Sequence, residues 1–187
     1  RRALKINPDY ADAFNNMGIA LAERGDIETS ILSYNQAIKI NPALTEAHYN
    51  MGNALKEKGN LDAAIASYNK ALKLNADFTE AHSNMGLALA KRGDLDAAID
   101  SYRRALKINP DYADAFNNMG LALKEKGNLD AAIASYNKAL KLNADFTEAH
   151  SNMGLALAKR GDLDAAIDSY RRALKINPDY ADAFNNM

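Results

Sequence analysis

Every glycine and every methionine in this chain falls on one grid. Gly18, Gly52, Gly86, Gly120 and Gly154 are 34 residues apart, as are Gly25, Gly59, Gly93, Gly127 and Gly161. Met17, Met51, Met85, Met119, Met153 and Met187 follow the same spacing. A period of this length stacks one supersecondary unit on the next, because a single unit cannot bury its own apolar face. Counted from Ala11, full repeats cover 11–44, 45–78, 79–112, 113–146 and 147–180. Residues 1–10 then end one partial repeat and residues 181–187 begin another. The whole of 1–187 is expected to form a single solenoid domain.

Each repeat reads as two helices. Phe14, Met17, Gly18 and Leu21 are spaced as one face of a first helix, and Leu95, Ala98, Ile99, Tyr102 and Leu106 as one face of a second. Gly-Asp or Gly-Asn pairs such as Gly25-Asp26 and Gly59-Asn60 separate them. Glycine accepts the left-handed conformation after a helix end, and Asp or Asn caps the next N-terminus. Asn-Pro steps at Asn7-Pro8, Asn41-Pro42, Asn109-Pro110 and Asn177-Pro178 are expected to end the second helices, since proline disfavours a helical residue before it. Asp77 with Glu80, and Asp145 with Glu148, have capping-box spacing. No segment alternates with period two. The fold class is all-α, built of antiparallel helix pairs in tandem.

A 34-residue helix–turn–helix repeat with glycine at the eighth place, small residues at the twentieth and twenty-seventh, and a late proline resembles the tetratricopeptide repeat. Gly18, Ala64, Ala71, Tyr68 and Pro42 stand in the matching places, with equivalents in neighbouring repeats along the whole chain. The sequence also departs from the pattern. The usual tryptophan place holds Phe14, His48, His82, Phe116 and His150, Ser30 replaces the twentieth-place alanine, and Ala76 and Ala144 replace the proline. The resemblance implies a right-handed superhelical solenoid whose first helices line a concave groove.

On a wheel of the first helix, places four, seven, eight and eleven form the core side, while places two, six, nine and thirteen point away. The sixth place is always asparagine: Asn16, Asn50, Asn84, Asn118, Asn152 and Asn186. A carboxamide offers donors and an acceptor, which match the edge of an extended peptide backbone without selecting its side chains. The row is similar to the asparagine ladder of the superhelical domain of O-linked N-acetylglucosamine transferase, and the similarity implies a peptide in the groove. The other role open to the row is bonding between neighbouring repeats. Replacing Asn84 and Asn118 with Ala is expected to weaken a bound peptide while changing thermal stability little.

Beside it, Ile19, Asn53, Leu87, Leu121 and Leu155 at the ninth place suggest a partner-binding strip, or packing against the adjacent repeat. Tyr49 belongs to the more variable fifth place, with Asn15, Ser83, Asn117, Ser151 and Asn185. Acids at the second place (Asp12, Glu46, Glu80, Asp114, Glu148, Asp182) and Lys56, Lys91, Lys124 and Lys159 near the first-helix C-termini both suit the helix dipole. Relatives that clamp acidic C-terminal tails carry basic residues where this chain has acids and asparagines, so that specificity is not expected. The peptide-binding candidates are Asn16, Asn50, Asn84, Asn118, Asn152, Leu87, Leu121, Leu155, Tyr49 and Asn53.

Residues 54–119 recur unchanged as 122–187, and residues 1–17 recur as 103–119 and 171–187. Solenoid packing needs only the pattern, so identity at solvated places reflects recent duplication or deliberate construction. Phe184 and Met187 are expected on an unfinished end surface, which suggests a fragment of a longer array or end-to-end stacking. Three roles are therefore open: a protein-interaction scaffold, the substrate-selecting arm of a larger enzyme such as a glycosyltransferase, and an array acting through its ends.

Other chemistry is not indicated. A net charge of −1 argues against nucleic-acid binding. Zero cysteines exclude disulfides and thiolate zinc sites. His48, His82 and His150 occupy the core stripe and have no metal-ligand cluster beside them. All ten glycines belong to the grid, leaving none for a phosphate loop. Serines such as Ser67 and Ser101 have no base–acid constellation, and the tyrosines Tyr34, Tyr68, Tyr102, Tyr136 and Tyr170 lie on the core stripe. No enzyme, cofactor or metal is expected. With no apolar run long enough for a signal peptide or membrane span, a cytoplasmic location is expected.

Overall fold

A computed structural model describes residues 10–180. The described residues form ten helices and no strand. The helices are α1 (Ala11–Glu23), α2 (Ile27–Ile40), α3 (Thr45–Glu57), α4 (Leu61–Leu74), α5 (Thr79–Arg92), α6 (Leu95–Ile108), α7 (Ala113–Glu125), α8 (Leu129–Leu142), α9 (Thr147–Arg160) and α10 (Leu163–Ile176). The chain falls into two compact units, Arg1–Gly93 with α1 to α5 and Asp94–Met187 with α6 to α10. In the first, α1 packs on α2 and α3 on α4; in the second, α7 packs on α8 and α9 on α10. Asn7-Pro8, Asp182, Phe184, Asn185, Asn186 and Met187 lie outside the described residues.

The two glycine rows do different jobs. Gly59 has φ +83°, and its row mates have φ between +81° and +101°, a region that costs an L residue about 1–2 kcal/mol. That conformation turns the chain from α3 into α4. Gly52 is helical, and a Cβ there would lie 2.6 Å from Cε1 of Tyr68. The same close approach pairs Gly18 with Tyr34, Gly120 with Tyr136 and Gly154 with Tyr170. A tyrosine ring thus lies directly against the backbone of the first helix, and this contact sets how near the two helices of a pair come. Around it the core is made of small residues: Ala37, Ala71, Ala105, Ala139 and Ala173 are completely buried. Ser30, where alanine is usual, is equally buried, and its hydroxyl donates to the Ile27 carbonyl at 2.8 Å. The substitution leaves no unpaired hydroxyl.

Asparagine, not proline, ends the second helices. Asn41, Asn75, Asn109, Asn143 and Asn177 are all extended at the C-cap. Each side-chain Oδ1 accepts the backbone N–H two residues on, at 3.1 Å. This local side-chain turn competes with the helix at that point. Ala76 and Ala144 therefore sit in the same kind of turn as Pro42. The capping boxes are a correction: the N-caps of α5 and α9 are Phe78 and Phe146, without side-chain capping bonds. Asp77 and Asp145 lie one residue too early, their own N–H groups held in the asparagine turn.

The histidines carry a bond that the sequence did not disclose. Nε2–H of His48, His82 and His150 donates to the carbonyls of Pro42, Ala76 and Ala144, each at 2.9 Å. The core stripe is thereby tied to the preceding turn. At the N-termini of α2 and α4, Asp26 and Asn60 accept from Thr29 and Ala63, as expected of caps. Asp162, in the same place before α10, instead accepts from Arg160 Nε at 2.5 Å.

Neighbouring repeats are joined by ion pairs at an offset of 30 residues. Glu28 meets Lys58 at 3.2 Å, Asp62 meets Arg92 at 2.5 Å and Asp130 meets Arg160 at 2.6 Å, and Asp96 pairs with Lys126. All four pairs are solvent-exposed, and such pairs are worth about 0–1 kcal/mol each. They fix register more than they add stability.

Two outcomes follow for stability. Gly52→Ala forces its methyl into the Tyr68 ring and is expected to destabilise the chain by about 1–3 kcal/mol. Gly59→Ala meets no atom but must adopt positive φ, costing about 1–2 kcal/mol. Combining Gly52→Ala with Tyr68→Leu should recover part of the first loss and none of the second in urea unfolding. The second outcome concerns pH. Burial, with the charge of Glu23 adding to it, pushes the Tyr34 pKa up to about 12. Burial likewise raises Tyr68, Tyr102, Tyr136 and Tyr170. A phenol held neutral in the folded state favours folding fully below its unfolded pKa and progressively less above it. Stability should therefore be insensitive to these groups below about pH 10 and fall above it. Phenolate absorbance and helical circular dichroism, followed together, should show the buried tyrosines ionising only as the helices melt.

Candidate functional site

The sixth-place asparagines project from the middle of the first helices, and the carboxamides of Asn50, Asn84 and Asn152 bond to the preceding repeat. Asn50 Nδ2 donates to Asn15 Oδ1 at 3.0 Å, Asn84 Nδ2 to the Tyr49 hydroxyl at 2.8 Å, and Asn152 Nδ2 to Asn117 Oδ1 at 3.1 Å. In each case the partner is the fifth place, 35 residues earlier. One full repeat plus one residue is thus the contact register between adjacent first helices. The fifth place is accordingly interior: Asn15, Ser83, Asn117 and Ser151 are buried. Asn16 is exposed, and Asn50, Asn84, Asn118 and Asn152 are half-buried.

Asn84 is the most heavily engaged of the row. Its Nδ2 also donates to Asn53 Oδ1 at 3.1 Å, and its Oδ1 accepts from Lys56 Nζ at 3.2 Å. Asn53 Oδ1 accepts in turn from the Tyr68 hydroxyl at 2.7 Å. Tyr49 completes the cluster, its ring 4.7 Å from that of Phe78 and 6.1 Å from that of Tyr68, centre to centre, in tilted geometry. Lys56, Asn84, Tyr49, Asn53 and Tyr68 therefore form one polar network in the first unit. This argues against the expectation of little cost at Asn84, and leaves it standing at Asn118. At Asn84 both amide hydrogens and the oxygen are in use, so its loss strands three partners on α3: Tyr49, Asn53 and Lys56.

The ninth place is only half-exposed. Ile19 packs on the buried cluster of Ile27, Tyr34 and Ala54, which is the inter-repeat packing that the sequence left open. Leu87, Leu121 and Leu155 are half-buried. The change from Asn53 to Leu121 alters the tyrosine behind it: among the described residues the buried Tyr136 hydroxyl has no hydrogen-bond partner, whereas Tyr68 has Asn53.

Lys56 was assigned only a dipole role from sequence, and its bond to the row was missed. That bond joins residues 28 apart, outside the offset of 35 that links places five and six, so the repeat register did not signal it. No group of three or more His, Asp or Glu is placed to hold a metal, and no helix is long and apolar enough to cross a membrane, among the described residues. Tyr68→Phe, which removes one of the two donors to Asn53 Oδ1, is expected to cost about 0.5–1.5 kcal/mol. Tyr136→Phe removes an unpaired hydroxyl and should be neutral or slightly stabilising, a contrast that paired urea-unfolding curves measure directly.

Comparison with known proteins places these features. The family model described as TPR repeat matches residues 18–59, 52–93, 86–127 and 120–161, and models described as tetratricopeptide repeat match 147–180 and 1–31. No curated relative matches the sequence. Among solved structures, one of MamA shares 30% identity over 88% of this chain and 96% of that one, with a TM-score of 0.81. MamA from Desulfovibrio magneticus RS-1 shares 22% identity over 92% and 97%, with a TM-score of 0.84. YrrB, described as a TPR protein with an unusual peptide-binding site, shares 22% identity over 98% and 95%, with a TM-score of 0.79. The repeat models span most of the chain, and the chain belongs to the tetratricopeptide repeat family.

Proposed function

We propose that this chain is a non-catalytic interaction scaffold that binds an extended peptide along the face formed by its first helices, with its repeats acting as one continuous array. Tetratricopeptide repeats bind protein or peptide partners, and what supports the finer reading here is the state of the asparagines. Asn50 and Asn152 each commit one amide hydrogen to the preceding repeat. That bond fixes the carboxamide plane while leaving the second hydrogen and the oxygen for a ligand. A donor and an acceptor held in a fixed orientation suit a peptide backbone, whose N–H and C=O groups repeat regardless of sequence. Leu121 and Leu155, half-buried beside the row, supply apolar contact for peptide side chains. The description of YrrB as carrying a peptide-binding site agrees with this reading.

Backbone recognition has a distinctive test. N-methylation of successive peptide amides should weaken binding more than alanine substitution of the peptide's side chains. Asn118→Ala and Asn152→Ala should each weaken the unmodified peptide by about 0.5–1.5 kcal/mol, the value of a neutral hydrogen bond. Isothermal titration with a peptide selected from a random library supplies both numbers. Equal affinity for methylated and unmethylated peptides, or for variant and parent chains, would overturn the assignment.

A further inference from the structure

A cavity of about 580 Å³ opens in the second unit between α8 and α10, with the N-terminal half of α9 in its wall. From α9 it is reached by the fourth and seventh places, His150 and Met153, so it is separate from the sixth- and ninth-place row. Two departures from the family pattern meet there. Ala144 stands where proline is usual and His150 where tryptophan is usual, and both are smaller than the residues they replace. One repeat earlier, in the same unit, those places hold Pro110 and Phe116, and Lys138 Nζ lies over the Phe116 ring, 5.4 Å from its centre. At His150 the place of Lys138 is taken by Arg172, while the imidazole is tied to the Ala144 carbonyl at 2.9 Å. The smaller side chains leave open space of the size that small-molecule sites occupy, about 300–1,000 Å³.

The wall is chemically divided. Leu140, Met153 and Ile176, all half-buried, supply apolar surface. Arg172 and Lys175, exposed on α10, supply two cations, and Asp145 supplies one anion. Among the described residues none of these three forms an ion pair; it is the neighbouring Arg171 that holds Asp168, at 3.4 Å. The lining therefore carries one positive charge in excess. We propose that this cavity binds a small amphipathic monocarboxylate, with the carboxylate held by Arg172 and Lys175 and the hydrocarbon body against Leu140, Met153 and Ile176. The guanidinium presents a planar fork that matches a carboxylate, and apolar walls with a few polar anchors are the usual makeup of small-molecule sites. Asp145 selects against a second negative charge, since like charges brought together oppose binding. The inference goes beyond the peptide-binding reading and does not depend on it.

The test titrates octanoate, octanamide and octyl phosphate, in mildly alkaline buffer, against the full chain with isotope-labelled methionine methyls. Met153, in the wall, is the reporter, assigned by loss of its resonance in Met153→Leu. Octanoate is expected to shift the Met153 methyl saturably. Octanamide should bind about tenfold more weakly, the scale of one charge-assisted hydrogen bond, and octyl phosphate no more tightly than octanoate. Arg172→Gln, at an exposed side chain, should bring octanoate down to the affinity of octanamide with helical circular dichroism unchanged. His150→Phe, which installs the ring already accommodated at Phe116, should fill the cavity and abolish the shift; if that variant does not fold, Arg172→Gln alone decides. Equal affinity for octanoate and octanamide overturns the proposal, as does tightest binding of octyl phosphate. Octanoate binding that survives His150→Phe unchanged, or a Met153 resonance that never moves, overturns it too. Uniform movement of the methionine resonances along the chain marks detergent-like partition and overturns it as well.

Discussion

The contact between the eighth-place glycine and the twenty-fourth-place tyrosine governs the architecture. With no side chain on Gly52, the ring of Tyr68 lies on the backbone of α3, and the pair closes to a distance that only small residues can fill. Ala64 and Ala71, both fully buried, follow from that spacing. So does the burial of each tyrosine, whose phenol is held neutral for lack of solvent. A larger residue at the glycine would part the helices and leave the alanines facing a void. The grid of glycines is thus a grid of helix–helix distances, which is why the period dominates the sequence.

Once pairs are fixed, stacking uses two other registers. An offset of 30 residues carries exposed ion pairs, and an offset of 35 carries the bonds of the asparagine row. In a repeat array each unit contacts only its neighbours, so stability is close to a sum of unit and interface terms. The asparagine bonds are the better protected of the two, since Asn15 and Asn117 are buried acceptors whose loss would leave a donor stranded. The row proposed to contact a peptide is therefore also part of what keeps adjacent first helices in register.

The elements and their spacing were legible because they are carried by residues with one dominant physical role: glycine at positive φ, glycine under a ring, alanine in a dry core. The asparagine turn was hidden behind the more conspicuous proline, and became visible only where Ala76 and Ala144 hold the same kind of turn without it. The capping boxes failed because the cap falls at Phe78 and Phe146, so spacing alone misplaced the boundary by one residue. The sequence left bonding between neighbouring repeats open for the carboxamide row but did not name the fifth-place partners, since a wheel describes one helix and these contacts involve two. The same limit concealed the histidine bonds to Pro42, Ala76 and Ala144.

Local chemistry concentrates where the sequence leaves its own repeat. The duplicated segment begins at residue 54, just after Tyr49 and Asn53; the matching places in the later copy are Asn117 and Leu121. Those differences replace a simple bond between Asn152 and Asn117 with the network that joins Lys56, Asn84, Tyr49, Asn53 and Tyr68. They also decide whether the tyrosine hydroxyl is satisfied, as in Tyr68, or buried without a partner, as in Tyr136. The shared scaffold residues are the same in both copies, so the contrast arises from two side chains rather than from the backbone. An array of nearly identical repeats can in this way present polar chemistry in one stretch and apolar chemistry in another without altering the helix spacing that its glycines impose.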